Sequence, residues 1–72
     1  MEEKSFSLAG AEYVELDKVL KLLRLVESGG QAHEFITRGL VRRDGKAETR
    51  KRAKLRPGDE FVFNGTQVRI TE

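Results

Sequence analysis

The 72-residue chain has no cysteine and a single histidine. The first absence removes disulfides and thiolate metal ligands together, so the hydrophobic core alone must hold the fold. His33 stands without cysteine or paired carboxylates at metal-ligand spacing and reads as a surface or boundary residue. No apolar run approaches the roughly 20 residues that span a bilayer, and Met1-Glu2-Glu3-Lys4 lacks the charged-then-apolar order of a signal peptide. These absences lead us to expect a soluble cytoplasmic protein with no membrane association. Phosphate-loop and dinucleotide fingerprints are missing too. Asp17 and Glu34 make no convincing catalytic pair, and Ser28 is a helix cap before it is a nucleophile. No enzyme activity, small-molecule substrate, cofactor or metal is expected. A chain of this length makes one domain, spanning residues 1–72. Such a domain buries only about 60% of the surface its unfolded chain exposes, so its stability is marginal.

Charge is not scarce, but it is unevenly placed. Residues 1–36 carry four basic and seven acidic side chains, whereas residues 37–72 carry ten basic and five acidic ones. The asymmetry concentrates between Arg38 and Asp59, where nine cations meet only Asp44, Glu48 and Asp59. Self-repulsion in so dense a group is a cost that folding alone does not require. The segment is not a disordered tail: it contains the tight-turn dipeptide Asp44-Gly45 and ends in Pro57-Gly58-Asp59. Val41, Ala47, Ala53 and Leu55 are interleaved as apolar anchors. A basic, folded surface of this kind favours a nucleic-acid partner.

The hydrophobic pattern supplies the frame. Ser5-Phe6-Ser7-Leu8 alternates polar and apolar, which predicts a short half-buried strand. Leu16, Val19, Leu20, Leu23 and Val26 follow helical spacing and predict a helix over Leu16 to Val26. Lys18, Lys21 and Arg24 fall off its apolar stripe. Ser28 and Gln31 form a capping-box pattern for a second helix, with Ala32, Phe35 and Ile36 on its inner face and Gly39 at its end. Gly29 and Gly30 weaken its first turn by roughly 1 kcal/mol each; close packing on the first helix or a phosphate at the helix N-terminus would each account for them. A hairpin follows over residues 40–48 about Asp44-Gly45, then an extended, positively charged connection from Thr49 to Leu55. A second hairpin runs from Glu60 to Ile70 about Asn64-Gly65. Phe61 and Phe63 share a face, as do Val68 and Ile70, so the sheet should be covered on one side by the two helices.

In this order, Leu16-Asp17-Lys18, Ser28-Gly29-Gly30-Gln31-Ala32, Ile36-Thr37-Arg38-Gly39-Leu40-Val41, Asp44-Gly45-Lys46 and Pro57-Gly58-Asp59-Glu60 resemble the αL RNA-binding domain over residues 14–63. That family is known from ribosomal protein S-four, pseudouridine synthases and tyrosyl-tRNA synthetases. The runs Glu27–Ala32 and Glu48–Arg52, with the Phe6–Leu8 strand, are similar to small free-standing bacterial members of the YbcJ type. The resemblance implies an α+β fold with an αL motif, two main helices packed on a small, mostly antiparallel sheet of four to five short strands. It also implies RNA binding without a catalytic domain. Glu15 departs from the many members that carry a basic residue before Leu-Asp, which removes one phosphate contact.

Carried over, the contact set is Ser28, Gln31, Thr37, Arg38, Arg42, Arg43 and Lys46; the basic connection adds Arg50, Lys51, Arg52 and Lys54. Lys18, Lys21 and Arg24 stand on its flank. No solvent-facing aromatic pair is evident, so the expectation is recognition of structured RNA, ribosomal RNA or tRNA and with it the ribosome, through phosphates and shape by a monomer. Two other readings compete. One is a helix-turn-helix DNA binder, although the second helix offers only Gln31, His33, Thr37 and Arg38. The other is a protein-interaction module whose acidic and basic halves meet in a homo-oligomer or dock on a ribosomal partner.

Overall fold

The computed structural model describes residues 1–72 and begins with strand β1 (Glu2–Ser7), followed by β2 (Val14–Glu15), helices α1 (Leu16–Leu22) and α2 (Gly29–Thr37), and strands β3 (Val41–Arg43), β4 (Lys46–Ala47), β5 (Lys54–Leu55), β6 (Glu60–Phe63) and β7 (Thr66–Thr71). Five strands form one mixed sheet in the order β1-β7-β6-β3-β4, and β2 pairs with β5 in a separate two-stranded ribbon. Every pair in the larger sheet is antiparallel except β1 with β7, which run parallel from Glu2↔Thr66 to Ser7↔Thr71. The terminal strands thus lie side by side at one edge. The β3–β4 hairpin forms the other edge.

Alternation along β6 and β7 builds the floor of the core. Phe61, Phe63, Val68 and Ile70 are buried, and the Phe35 ring of α2 meets Phe63 at 5.7 Å between centroids. Leu16, Val19 and Leu20 from α1 and Ala32 and Ile36 from α2 close over them in one cluster of 14 buried side chains. The strand expected around Phe6 is present, with Phe6 packed on the core and Leu8 just beyond the strand end buried at 6% exposure.

α1 is shorter than its apolar spacing predicts. It stops at Leu22, because Arg24 adopts a left-handed φ of 59°. The Arg24 N–H donates to Lys21 O and the Leu25 N–H donates to Leu20 O, the two bonds of a Schellman stop. Val26 still reaches the core, by way of the turn rather than the helix. α2 ends by the same two bonds, Gly39 N–H to Ile36 O and Leu40 N–H to Phe35 O, with Gly39 at φ 77°. Glycine takes that conformation freely, whereas an L side chain is strained in it. Arg24→Gly is therefore expected to stabilise the fold by about 0.5–1 kcal/mol, a rise in Tm of roughly 4 °C in thermal unfolding. An unchanged or lower Tm would show that the arginine side chain holds the turn.

Ser28 caps α2 as its sequence predicts: its Oγ accepts from the Gln31 N–H at 3.1 Å. The returning bond is shifted by one residue, since Gln31 Oε1 accepts from Glu27 N–H rather than from Ser28. Close packing does not explain Gly29 and Gly30. A Cβ on Gly29 would meet nothing within 4 Å, and one on Gly30 only Ser28 Oγ at 3.9 Å.

Candidate nucleic-acid interface

The basic connection is held at more points than its sequence suggests. It forms a turn, in which Ala53 N–H donates to Arg50 O, and then the strand β5. Its carbonyls serve α1. Glu15 gives that helix no side-chain cap, and instead Leu16 N–H donates to Ala53 O (2.9 Å) and Asp17 N–H to Lys51 O (3.2 Å). Two amides at the helix start that would otherwise lack partners are thereby satisfied. Ala53 and Leu55 are buried and anchor the segment, as does Val41 on β3; Ala47, expected to join them, is exposed at the sheet edge.

Glu48 is the polar anchor. It is 9% exposed, and its N–H donates to Val41 O at 2.8 Å. Its Oε1 accepts from Arg43 Nη1 and Arg50 Nη2, and its Oε2 from the Arg50 backbone N–H and Nε. The Arg50 side chain, then its backbone N–H and the Arg43 guanidinium, hold the Glu48 carboxyl at about 2 against the opposing effect of burial. Arg43 also reaches Asp59 Oδ2 at 3.4 Å, and the same oxygen accepts from Arg56 N–H at 2.8 Å. The chain from Arg50 to Arg56 is therefore pinned at both ends by carboxylates and in the middle by α1.

This arrangement sorts the cations read from the sequence. Arg43 is partly buried and committed to Glu48 and Asp59; Arg50 keeps 75% of its side chain exposed but forks onto Glu48. Lys51, Arg52 and Lys54 are exposed, as are Arg42 and Lys46 on the β3–β4 hairpin, and none of the five makes an ion pair. Arg43, Arg50, Arg52, Lys54 and Arg56 line one open depression with Ala53 and Asp59. Arg56 lies outside the contact set expected from the sequence. It follows β5 directly and lines the same depression as Lys54, and the density of cations between Arg38 and Asp59, which includes it, is the signal for it.

The α2 residues are less concentrated. Ser28 and Gln31 are engaged in the cap at one end, whereas Thr37 and Arg38 stand at the other, about 13 Å away at 1.5 Å per residue. Thr37 Oγ1 donates back to His33 and Glu34 carbonyls, and Arg38 is exposed. His33 lies at the boundary, its Nε2 2.7 Å from Asp17 Oδ2, and ties α2 to α1. No three His, Asp or Glu side chains come together to hold a metal, and no helix is long and apolar enough to cross a membrane.

Two helices on a small mixed sheet, with a pinned basic loop between β4 and β6, make an αL fold. Residues 6–71 match the S4 domain model, and the chain belongs to the S4 domain family. Among the proteins it is similar to is YbcJ of Escherichia coli (strain K12), 44% identical over 66 residues that cover 92% of this chain and 94% of that protein. YbcJ of Shigella flexneri gives the same figures. The solution structure of YbcJ from E. coli, described as revealing an αL motif involved in RNA binding, matches with a TM-score of 0.72 at 43% identity, covering 94% of this chain and 86% of that one.

Proposed function

We propose that this protein binds structured RNA, ribosomal RNA or tRNA, without catalysing a reaction on it. The observation that carries the reading is the set of exposed, unpaired cations (Arg42, Lys46, Lys51, Arg52 and Lys54) on a backbone fixed by Glu48, Asp59 and the start of α1. A rigid array of this kind fits a polyanion with its own fixed shape, and arginine adds bidentate contacts to phosphate. The αL motif of the E. coli relative, described as involved in RNA binding, supports the same partner. Arg38, Thr37, Ser28 and Gln31 extend the surface along α2, while Arg43 and Arg50 act first as the struts that set its shape.

A helix-turn-helix mode on DNA has less support. Gln31 Oε1 accepts from Glu27 N–H at the cap, Thr37 donates within α2 and His33 bonds to Asp17, so of the four polar residues only Arg38 has no bond to the rest of the protein that holds it away from a groove. Titration with folded RNA and with duplex DNA at matched salt separates the two. With four to six phosphates neutralised, log K should fall with log salt at a slope of about −3 to −5. A salt-independent affinity, or a preference for duplex DNA, would overturn the proposal.

A further inference from the structure

The β2–β5 ribbon carries a feature that a purely cationic surface does not need. Val14 pairs with Leu55 and Glu15 with Lys54, and continuing that register one residue past the ribbon sets Tyr13 opposite Arg56. Leu55 is fully buried and Val14 packs on the core, which turns Tyr13, Glu15, Lys54 and Arg56 to the outer face. There Lys54 Nζ lies 4.9 Å and Arg56 Cζ 5.7 Å from the centroid of the Tyr13 ring. Both fall within the range of a cation–π contact. Tyr13 is 39% exposed and is the one exposed aromatic side chain: Phe61 and Phe63 are buried, and Phe6 and Phe35 pack on the core.

We propose that Tyr13, with Lys54 and Arg56 held over its ring, forms a stacking site for a single unpaired nucleotide of the bound RNA. The inference rests on the RNA-binding reading and deepens it. A nucleotide combines a flat π surface with an anion a few ångströms away, and this site offers a ring for the first and two cations for the second. Bases inside a duplex already stack on one another, so the ring can only take one that is looped out. The same two cations lie in or beside the depression that Arg50 and Arg52 line, which makes the site continuous with the surface for paired phosphates. Glu15 lies on the same face, opposite Lys54.

The test compares an RNA hairpin carrying one unpaired nucleotide of randomised identity with a fully paired hairpin of the same length. The wild type is expected to prefer the first by about tenfold, within the range that stacking one base supplies. Tyr13→Phe should keep that preference. Tyr13→Leu, which retains apolar bulk but has no π face, should abolish it while binding the paired hairpin within about twofold of wild type. Equal wild-type affinity for the two hairpins, or a preference that survives in Tyr13→Leu, overturns the stacking site and leaves the RNA-binding reading in place. Failure to bind either hairpin overturns both. Should Tyr13→Leu fail to fold, 2-aminopurine at the unpaired position reports on the wild type alone: its emission should fall on binding, and unchanged emission refutes stacking.

Discussion

Glu48→Gln is expected to lower the stability of the fold by about 2 kcal/mol and its Tm by roughly 10 °C. The carboxylate is 9% exposed and accepts four hydrogen bonds, three of them from Arg50 and one from Arg43. An amide oxygen can keep part of that geometry but none of the charge. Its loss leaves Arg43 partly buried with only Asp59, at 3.4 Å, as a counter-charge. Breaking a fully buried pair costs about 3–5 kcal/mol, and the exposure of Arg50 reduces that figure here. A domain of this size has roughly 4–11 kcal/mol in total, so the loss is a large share. Chemical denaturation with coincident probes would measure it, and a change below about 0.5 kcal/mol would remove Glu48 from the role of anchor.

The same group gives the fold an acid limit. The folded Glu48 carboxyl titrates at about 2, below its ordinary 4.5, because Arg50 and Arg43 stabilise the anion. A lowered folded pKa means that the contribution is complete above pH 4.5 and disappears as pH falls from there toward 2. Wild-type stability should decline through that window by more than that of Glu48→Gln, and the two curves should converge at its acid end. Parallel curves would show that other carboxylates govern acid unfolding.

Local chemistry that acts within a few residues was legible in the sequence, and interactions that cross the chain were not. Asp44-Gly45 and Asn64-Gly65 fix their hairpins because both residues of each turn take positive φ. Ser28 and Gln31 cap α2 within one turn. By contrast, α1 stops at Leu22 with Arg24, not the usual glycine, in the left-handed turn that ends it, so its apolar spacing runs on past the true end. The β1–β7 pairing joins residues more than 60 apart and, being parallel, has no turn to announce it. β2 and β5 are two residues each, too short for alternation to register. The candidate site divides in the same way. Density of charge is a property of the sequence, but a glutamate amid arginines reads as a solvated residue until the fold buries it. Only then do Arg43 and Arg50 separate from the cations that remain unpaired. Tyr13 is not legible in this way, because a stacking surface shows in a sequence as a pair of aromatics, whereas here two cations lie over a single ring.

That separation decides which substitution tests the surface cleanly. Reversing Arg50 would set a second carboxylate against Glu48 and threaten the fold, so its effect on binding would be ambiguous. Lys51 and Arg52 are exposed, make no ion pair and contribute to the core through backbone only, the Lys51 carbonyl accepting from Asp17 N–H. The double variant Lys51→Glu/Arg52→Glu should therefore keep its stability within about 0.5 kcal/mol. Its affinity for structured RNA should nevertheless fall about a hundredfold near 0.1 M salt, about 2.7 kcal/mol, with the magnitude of the salt slope reduced by about 2. Lys4→Glu is the matching control. It lies on β1, at the opposite edge of the sheet from the β3–β4 hairpin, and should change affinity less than twofold if binding follows a localised surface rather than net charge. Should the double reversal bind within twofold of wild type, or should Lys4→Glu weaken binding as much, the cations of residues 50–54 would not be the contact surface, however firmly Glu48 and Asp59 hold them in place.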